Sequence, residues 1–207
     1  AEDRDSFSAL AKRLGSPQPD MGMAVNEETA RRIAKKIGYP VMVRPSFVLG
    51  GRGMRIIHDE ASLRAYVRAS GAGFALSQDA PVLVDKFLEN AVEVDVDAIV
   101  DGNDVTIAAI MEHIEQAGVH SGDSCCAIPT YTLGAGQLAL LREYTRKLGL
   151  GLGTVGLLNV QFAILGDKVV VIEANPRASR TVPFVSKATG KNIAGIATKV
   201  MAGATLA

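Results

Sequence analysis

Apolar residues recur at helical spacing at Phe7, Leu10, Ala11 and Leu14, and the run stops at Gly15 and Pro17, which end a helix and prevent its continuation. A second helix is predicted from Asn26, a capping residue, through Glu27 and Glu28 in the first turn and a buried stripe of Ala30, Ile33, Ala34 and Ile37, to Gly38. Residues 41–44 and 54–57 read as strands around a glycine cluster, and Asp59 opens a third helix with Leu63 and Val67 inward. Residues 82–87 form a short strand. The alternation across 92–100 then puts Glu93, Asp95 and Asp97 on one face of a strand and valines on the other. Asp101, Gly102 and Asn103 turn the chain into a strand over 105–113. Residues 137–148 are helical, 157–165 and 168–173 make a hairpin, and Ile193, Ile196, Ala197 and Val200 mark a last helix. Strands in hairpins interrupted by helices predict an α+β fold with mostly antiparallel sheets. Residues 70–78, rich in Gly, Ala and Ser, read as a surface loop.

Composition narrows the picture only in places. With 207 residues, 48% of them apolar, the chain can form one domain of two lobes or two small domains. Lys and Arg number 22 and so do Asp and Glu, so the overall charge gives no reason to expect nucleic acid or an anionic membrane as partner. An anionic ligand therefore has to be held by a local site. The longest apolar run, 105–111, falls far short of the roughly 20 residues that span a bilayer, and AEDRDSF does not read as a signal peptide. A cytoplasmic protein is expected. Cys125 and Cys126, the two cysteines, are sequence neighbours and are expected to be buried small hydrophobes in a reducing compartment.

The nucleotide-binding loops of other folds do not fit. Gly190 and Lys191 are followed by Asn192, and Val185 stands where a P-loop needs glycine. Gly151, Gly153 and Gly156 have dinucleotide-fingerprint spacing, but they leave a helix and enter a strand, whereas a pyrophosphate must meet a helix N-terminus. RPSFVLGGRGM (44–54) is more informative. Arg44 and Arg52 flank Gly50, Gly51 and Gly53 between two strands, so backbone N–H groups can close over phosphates while the arginines supply charge; a hairpin tip with solvated arginines is the alternative. The strongest signal is NVQFAILGDKVVVIEANPRASR (159–180). Glu173 and Asn175 share one strand face. A three-residue connection through Gly166, Asp167 and Lys168 puts Gln161 opposite Glu173, whereas a two-residue turn would instead pair Gln161 with Ile172 and ruin the site. Oxygen donors from Gln, Glu and Asn suit Mg²⁺, and Arg177 and Arg180 follow where they can meet a phosphoryl group or a small carboxylate. An edge strand ending in an Asn-Pro turn is the alternative. His120 beside Ser121 lacks the bracketing glycines of a hydrolase elbow, which argues against a nucleophilic triad.

Five ordered blocks, RPSFVLGGRGM, DKFLENAVEVDVDA, MEHIEQAGVHSGDS, GLLNVQFA and EANPRASRTVPFVSKATG, together resemble the ATP-grasp domain of the carbamoyl phosphate synthetase large subunit over nearly the whole chain. The wording of GVHSGDS and NPRASRTVPFVSKATG is similar to the C-terminal, carbamate-phosphorylating half of that subunit; the bicarbonate-phosphorylating half usually reads HTGDS and NPRVSRSSALASKATG. The resemblance implies two lobes with mostly antiparallel sheets and ATP held between them, a lid lobe at about 21–88 and a larger lobe made of 1–20 with 89–207. It implies that Arg44 contacts ATP phosphates beneath Gly50, Gly51 and Arg52. Lys86, Leu88 and Glu93 would hold adenine and ribose, with the Lys86 backbone counting for more than its side chain. Gly118, Val119, His120 and Ser121 would form a second nucleotide-contacting loop. Gln161, Glu173 and Asn175 would ligate Mg²⁺ or Mn²⁺, with Arg177 beside the transferred phosphoryl group. The implied activity is MgATP-dependent phosphorylation of carbamate in pyrimidine and arginine synthesis. The implied partners are a glutaminase small subunit and the remaining large-subunit domains.

Overall fold

The computed structural model describes residues 4–45, 54–70, 81–115 and 124–206. The chain divides into two compact units, Pro19–Glu89 in one and Ala1–Gln18 with Asn90–Ala207 in the other.

The unit Pro19–Glu89 contains β1 (Met21–Ala24), α2 (Glu27–Ile37), β2 (Val41–Pro45), β3 (Arg55–Ile57), α3 (Glu60–Ser70) and β4 (Val82–Lys86). Its sheet runs β1-β4-β2-β3, every pair antiparallel. The Asn26 side chain caps α2 by accepting from the Thr29 N–H at 2.8 Å, and Asp59 does the same for α3 through Ser62 at 2.7 Å. Ala30 and Ala34 of α2 and Leu63 and Tyr66 of α3 pack with Val41, Val43 and Val84 of the sheet. The short strand β1 carries too weak a pattern, MGMA, to be read from sequence, and it joins the sheet only by pairing with β4.

The second unit holds α1 (Arg4–Arg13), β5 (Val92–Asp101), β6 (Val105–His113), β7 (Cys126–Ala127), α4 (Ala135–Gly151), β8 (Val155–Leu165), β9 (Lys168–Asn175), α5 (Val182–Thr189) and α6 (Ile193–Met201). Its antiparallel sheet runs β7-β6-β5-β8-β9. One face carries Val94, Val96 and Val100, then Leu158, Val160, Phe162 and Ile164, then Val169, Val171 and Ala174, buried with Phe7 of α1 and Leu141 and Leu148 of α4. The other face is apolar at one end only, where Ile99, Ala109 and Met111 meet Val182 and Val185 of α5 and Ile193, Ala197 and Val200 of α6. Sequence periodicity foresaw α6 but not α5, whose VPFVSKAT has no polar face to reveal its period. The glycines 151, 153 and 156 do connect the end of α4 to β8.

The hairpin between β8 and β9 corrects one expectation. The turn has two residues, Gly166 and Asp167, because Leu165 pairs with Lys168; Gly166 at φ 58° takes the left-handed conformation that glycine adopts freely. Gln161 nonetheless pairs with Glu173, because a β-bulge inserts Ile172 between Val171, opposite Phe162, and Glu173.

Candidate functional site

Strand pairing sets the polar end of the second sheet face. Asp95 lies opposite Gln161 and Asp97 opposite Asn159; on the far side of β8, Gln161 lies opposite Glu173 and Asn159 opposite Asn175. Paired residues in an antiparallel ladder share a face. The bulge makes this possible in β9: Val169 and Val171 face the α4 side, and with one extra residue Ala174 faces that side as well, which turns Glu173 and Asn175 to the other.

Three sequence-predicted residues are linked directly. Asn175 Nδ2 donates to Glu173 Oε1 at 2.9 Å, and Arg177 Nη2 donates to Asn175 Oδ1 at 3.3 Å. Arg177 also donates from Nη1 to the carbonyl of Ala178 at 3.0 Å, which holds an exposed guanidinium at the end of β9. Arg180, also exposed, follows in the same loop. Glu93, Gln161 and Ile172 line a small pocket with Asp95 and His113. Gln161, Glu173 and Asn175 are half-buried, as suits groups that hold one partner inside and another outside.

Behind this row lies a buried chain that sequence reasoning did not find. His113 Nε2 and Asp95 Oδ2 are 2.7 Å apart, and Asn159 Nδ2 donates to Asp95 Oδ1 and to Asp97 Oδ1, both at 2.9 Å. Ser179 Oγ donates to Asp97 Oδ1 at 2.9 Å and Thr181 Oγ1 to Asp97 Oδ2 at 2.5 Å. Burial pushes the Asp97 carboxyl above the usual carboxylate range, only partly offset by the hydrogen bonds from Thr181, Asn159 and Ser179. Burial alone would lower His113, but its bond to Asp95 and the charges of Asp95 and Glu93 outweigh that and leave the imidazole raised. The alternation of β5 had put the acids on one face; nothing local says that Asp95 and Asp97 are only 2% and 1% exposed.

In the other unit, Arg44 Nη2 lies 2.5 Å from Asp85 Oδ2, an ion pair inside the β2–β4 ladder. The Lys86 ammonium donates to the carbonyls of Gly38 and Tyr39 at 3.0 and 3.1 Å, so its side chain ties the end of α2 to the sheet. Leu88 is half-buried just beyond β4. Gly50, Gly51, Arg52, Gly118, Val119, His120 and Ser121 lie outside the described residues, as do residues 71–78 of the predicted surface loop. Cys125 is exposed, against expectation, because it lies just before the short edge strand β7. The Cys126 thiol is half-buried and pushed up to about 11 by burial and by the carboxylates of Asp95 and Glu115.

Among the described residues, no cluster of three or more His, Cys, Asp or Glu side chains is arranged to hold a metal ion. The set Gln161, Glu173 and Asn175 is of another kind: one carboxylate and two amide oxygens brought to one face by the ladder. That all-oxygen set with a single charge fits a Mg²⁺-type cation whose remaining positions are completed by phosphate oxygens and water.

The fold belongs to a known class. A biotin carboxylase from Campylobacter jejuni, in complex with β-γ-ATP, superposes with a TM-score of 0.84 at 22% identity, covering 100% of this chain and 47% of that one. The biotin carboxylase domain of the Hydrogenobacter thermophilus 2-oxoglutarate carboxylase, in complex with MgADP and bicarbonate, gives 0.80 at 24%, covering 99% and 46%. These likenesses define the ATP-grasp fold, α+β with two antiparallel sheets. The chain belongs to the family described as carbamoyl-phosphate synthase L chain, ATP binding domain, whose profile matches residues 3–207. It is 58% identical over 207 residues to the carbamoyl phosphate synthase large chain of Methanoculleus marisnigri and 58% identical over 206 residues to that of Corynebacterium glutamicum. All of this chain is covered in both cases, but it spans only 19% and 18% of those relatives' lengths.

Proposed function

We propose that this domain phosphorylates carbamate to carbamoyl phosphate with MgATP, as the C-terminal ATP-grasp domain of a glutamine-hydrolysing carbamoyl phosphate synthetase large chain. The observation that carries the reading is the alignment of Gln161, Glu173 and Asn175 on one sheet face, with the Arg177 guanidinium held at its edge. The wording of 118–124 and 175–190, which resembles the carbamate-phosphorylating half, favours that half over the bicarbonate one. In this reading the Glu173 carboxylate and the amide oxygens of Gln161 and Asn175 hold Mg²⁺ or Mn²⁺. The cation, when bound, neutralises charge on the transferring phosphoryl group.

The chain's own residues do the rest by positioning. Asn175 orients the Glu173 carboxylate through its amide and fixes Arg177 through its carbonyl, so one side chain sets both the ligand and the cation beside it. Arg177 and Arg180 offer forked donors to a phosphoryl group and to a small carboxylate such as carbamate. Arg44, Lys86, Leu88 and Glu93 would serve the nucleotide, together with Gly50, Gly51 and Arg52 and with Gly118, Val119, His120 and Ser121. The Pro19–Glu89 unit would act as the lid. A glutaminase small subunit and the other large-chain domains would supply ammonia and carbamate in the cytoplasm, for pyrimidine and arginine synthesis.

The test uses the full-length enzyme. MgADP with carbamoyl phosphate should yield ATP, and Glu173→Ala should lower that yield by on the order of 10²- to 10³-fold, the size of one preorganised electrostatic contact to a transition state. Bicarbonate-dependent ATP hydrolysis should persist in the same variant. Loss of the bicarbonate-dependent step with retention of ATP synthesis would assign the domain to the other half, and full retention of both would remove the site.

A further inference from the structure

Thr181 occupies the N-cap position of α5, where a threonine hydroxyl ordinarily accepts from a helix N–H, yet it makes no such cap. Its Oγ1 turns the other way and donates to Asp97 Oδ2 at 2.5 Å. Ser179, two residues earlier, also turns its hydroxyl inward, to Asp97 Oδ1 at 2.9 Å. Between and before them Arg180 and Arg177 are exposed. The segment thus alternates, arginines outward and hydroxyls inward, and the two hydroxyls, 2.5 Å from each other, both reach one carboxylate.

That carboxylate is expensive to keep. Asp97 is 1% exposed and lies on a sheet face that turns apolar one step further along β5, at Ile99 beside Ala109 and Met111. Burying a carboxylate costs stability that an apolar side chain of similar volume would not. Its acceptor capacity goes to the two hydroxyls of the arginine segment and to Asn159, which lies opposite Asn175 on β8. Asp97 thus contacts both the strand that faces Glu173 and Asn175 and the loop that carries the arginines.

We propose that Asp97 is a positioning residue for phosphoryl transfer, holding the Arg177–Arg180 loop in register with the Gln161, Glu173 and Asn175 row through the hydroxyls of Ser179 and Thr181. The functional half of this inference rests on the activity proposed above; the structural half does not.

The test compares Thr181→Val, which keeps the shape and removes the donor, with Thr181→Ser, which keeps the donor, in the full-length enzyme. Hydrogen exchange is read at the amides of residues 177–182, with β8 and β9 as internal controls. Exchange in the loop should rise about tenfold or more in Thr181→Val, the equilibrium worth of one hydrogen bond to a charged acceptor, and stay at the wild-type level in Thr181→Ser and in the controls. Unchanged loop exchange in Thr181→Val overturns the proposal whether or not the enzyme makes ATP. In the activity arm, ATP synthesis from MgADP and carbamoyl phosphate should lose about tenfold in kcat for Thr181→Val, with the KM for MgADP unchanged and full rescue in Thr181→Ser. A parallel rise in the KM for MgADP, or loosened exchange with unaltered kcat, reduces Asp97 to a structural group and overturns the positioning role. If the wild-type enzyme makes no ATP from these substrates, the activity assignment fails while the exchange result still judges the loop. Should Thr181→Val not fold, Ser179→Ala removes the other donor to Asp97 and is read in the same way.

Discussion

The two faces of the five-stranded sheet are built from the same strands and solve opposite problems. On the α4 side, Val94, Val96, Phe162 and Val171 are at most 1% exposed and need nothing but volume and water exclusion. On the other side, Asp95, Asp97, Asn159 and His113 are almost as deeply buried, at 1 to 4% exposure, but each is there for its hydrogen bonds. Burial therefore does not separate scaffold from site in this protein. What separates them is whether a side chain's neighbours are interchangeable. Phe162 can be replaced by another shape at a graded cost, while Asn159 has two acceptors that only a donor in its place can serve.

That contrast can be pressed by experiment. Phe162→Ala should lower the unfolding free energy by about 3–5 kcal/mol, read from the urea midpoint, and leave nucleotide affinity per folded molecule unchanged. A shift in affinity as large as the shift in stability would merge the two faces. Asp95→Ala should cost about 3 kcal/mol, because His113 Nε2 and the Asn159 amide lose their acceptor inside the protein, and here activity should fall along with stability. Acidity offers a gentler probe. The folded-state pKa of His113 is raised, so its stabilising pairing with Asp95 is fully present below the unfolded imidazole value of about 6.5 and is lost as pH rises through the raised value. Wild-type unfolding free energy should therefore decline across that window, and His113→Gln should flatten the decline. The smallest effect expected is at Cys126: with its thiol pushed up to about 11, alkylation near pH 8 should be slow, and that of exposed Cys125 faster, in peptide mapping after iodoacetamide.

Much of the scaffold was legible because it follows local rules. Asn26, Asp59 and Asp101 each mark a cap or turn, and each side chain accepts the backbone N–H groups that such a position predicts. The row of Gln161, Glu173 and Asn175 was legible as residues that converge on one face but not in the way it is assembled. Spacing alone admitted a longer connection, and the chain instead combines a two-residue turn with the bulge at Ile172. The Asp95–Asn159–Asp97 chain was hidden for a different reason. Asn159 contacts carboxylates 64 and 62 residues away, and no local pattern encodes partners at that distance. Glu112 is hidden in the same way: its carboxylate accepts from the N–H groups of Tyr131 and Thr132 at 2.9 and 3.0 Å, pinning the segment before α4.

The extra residue at Ile172 imposes a parity rule on this hairpin. Because side chains alternate sides along a strand, adding or removing one residue inside β9 between Lys168 and Val171, with the two-residue turn and the bulge kept, would send the Glu173 carboxylate into the oily layer under α4, whereas a change of two would return it to its own side. Tolerated length variation in this stretch should accordingly come in even steps, and an odd step should survive only where a second bulge cancels it.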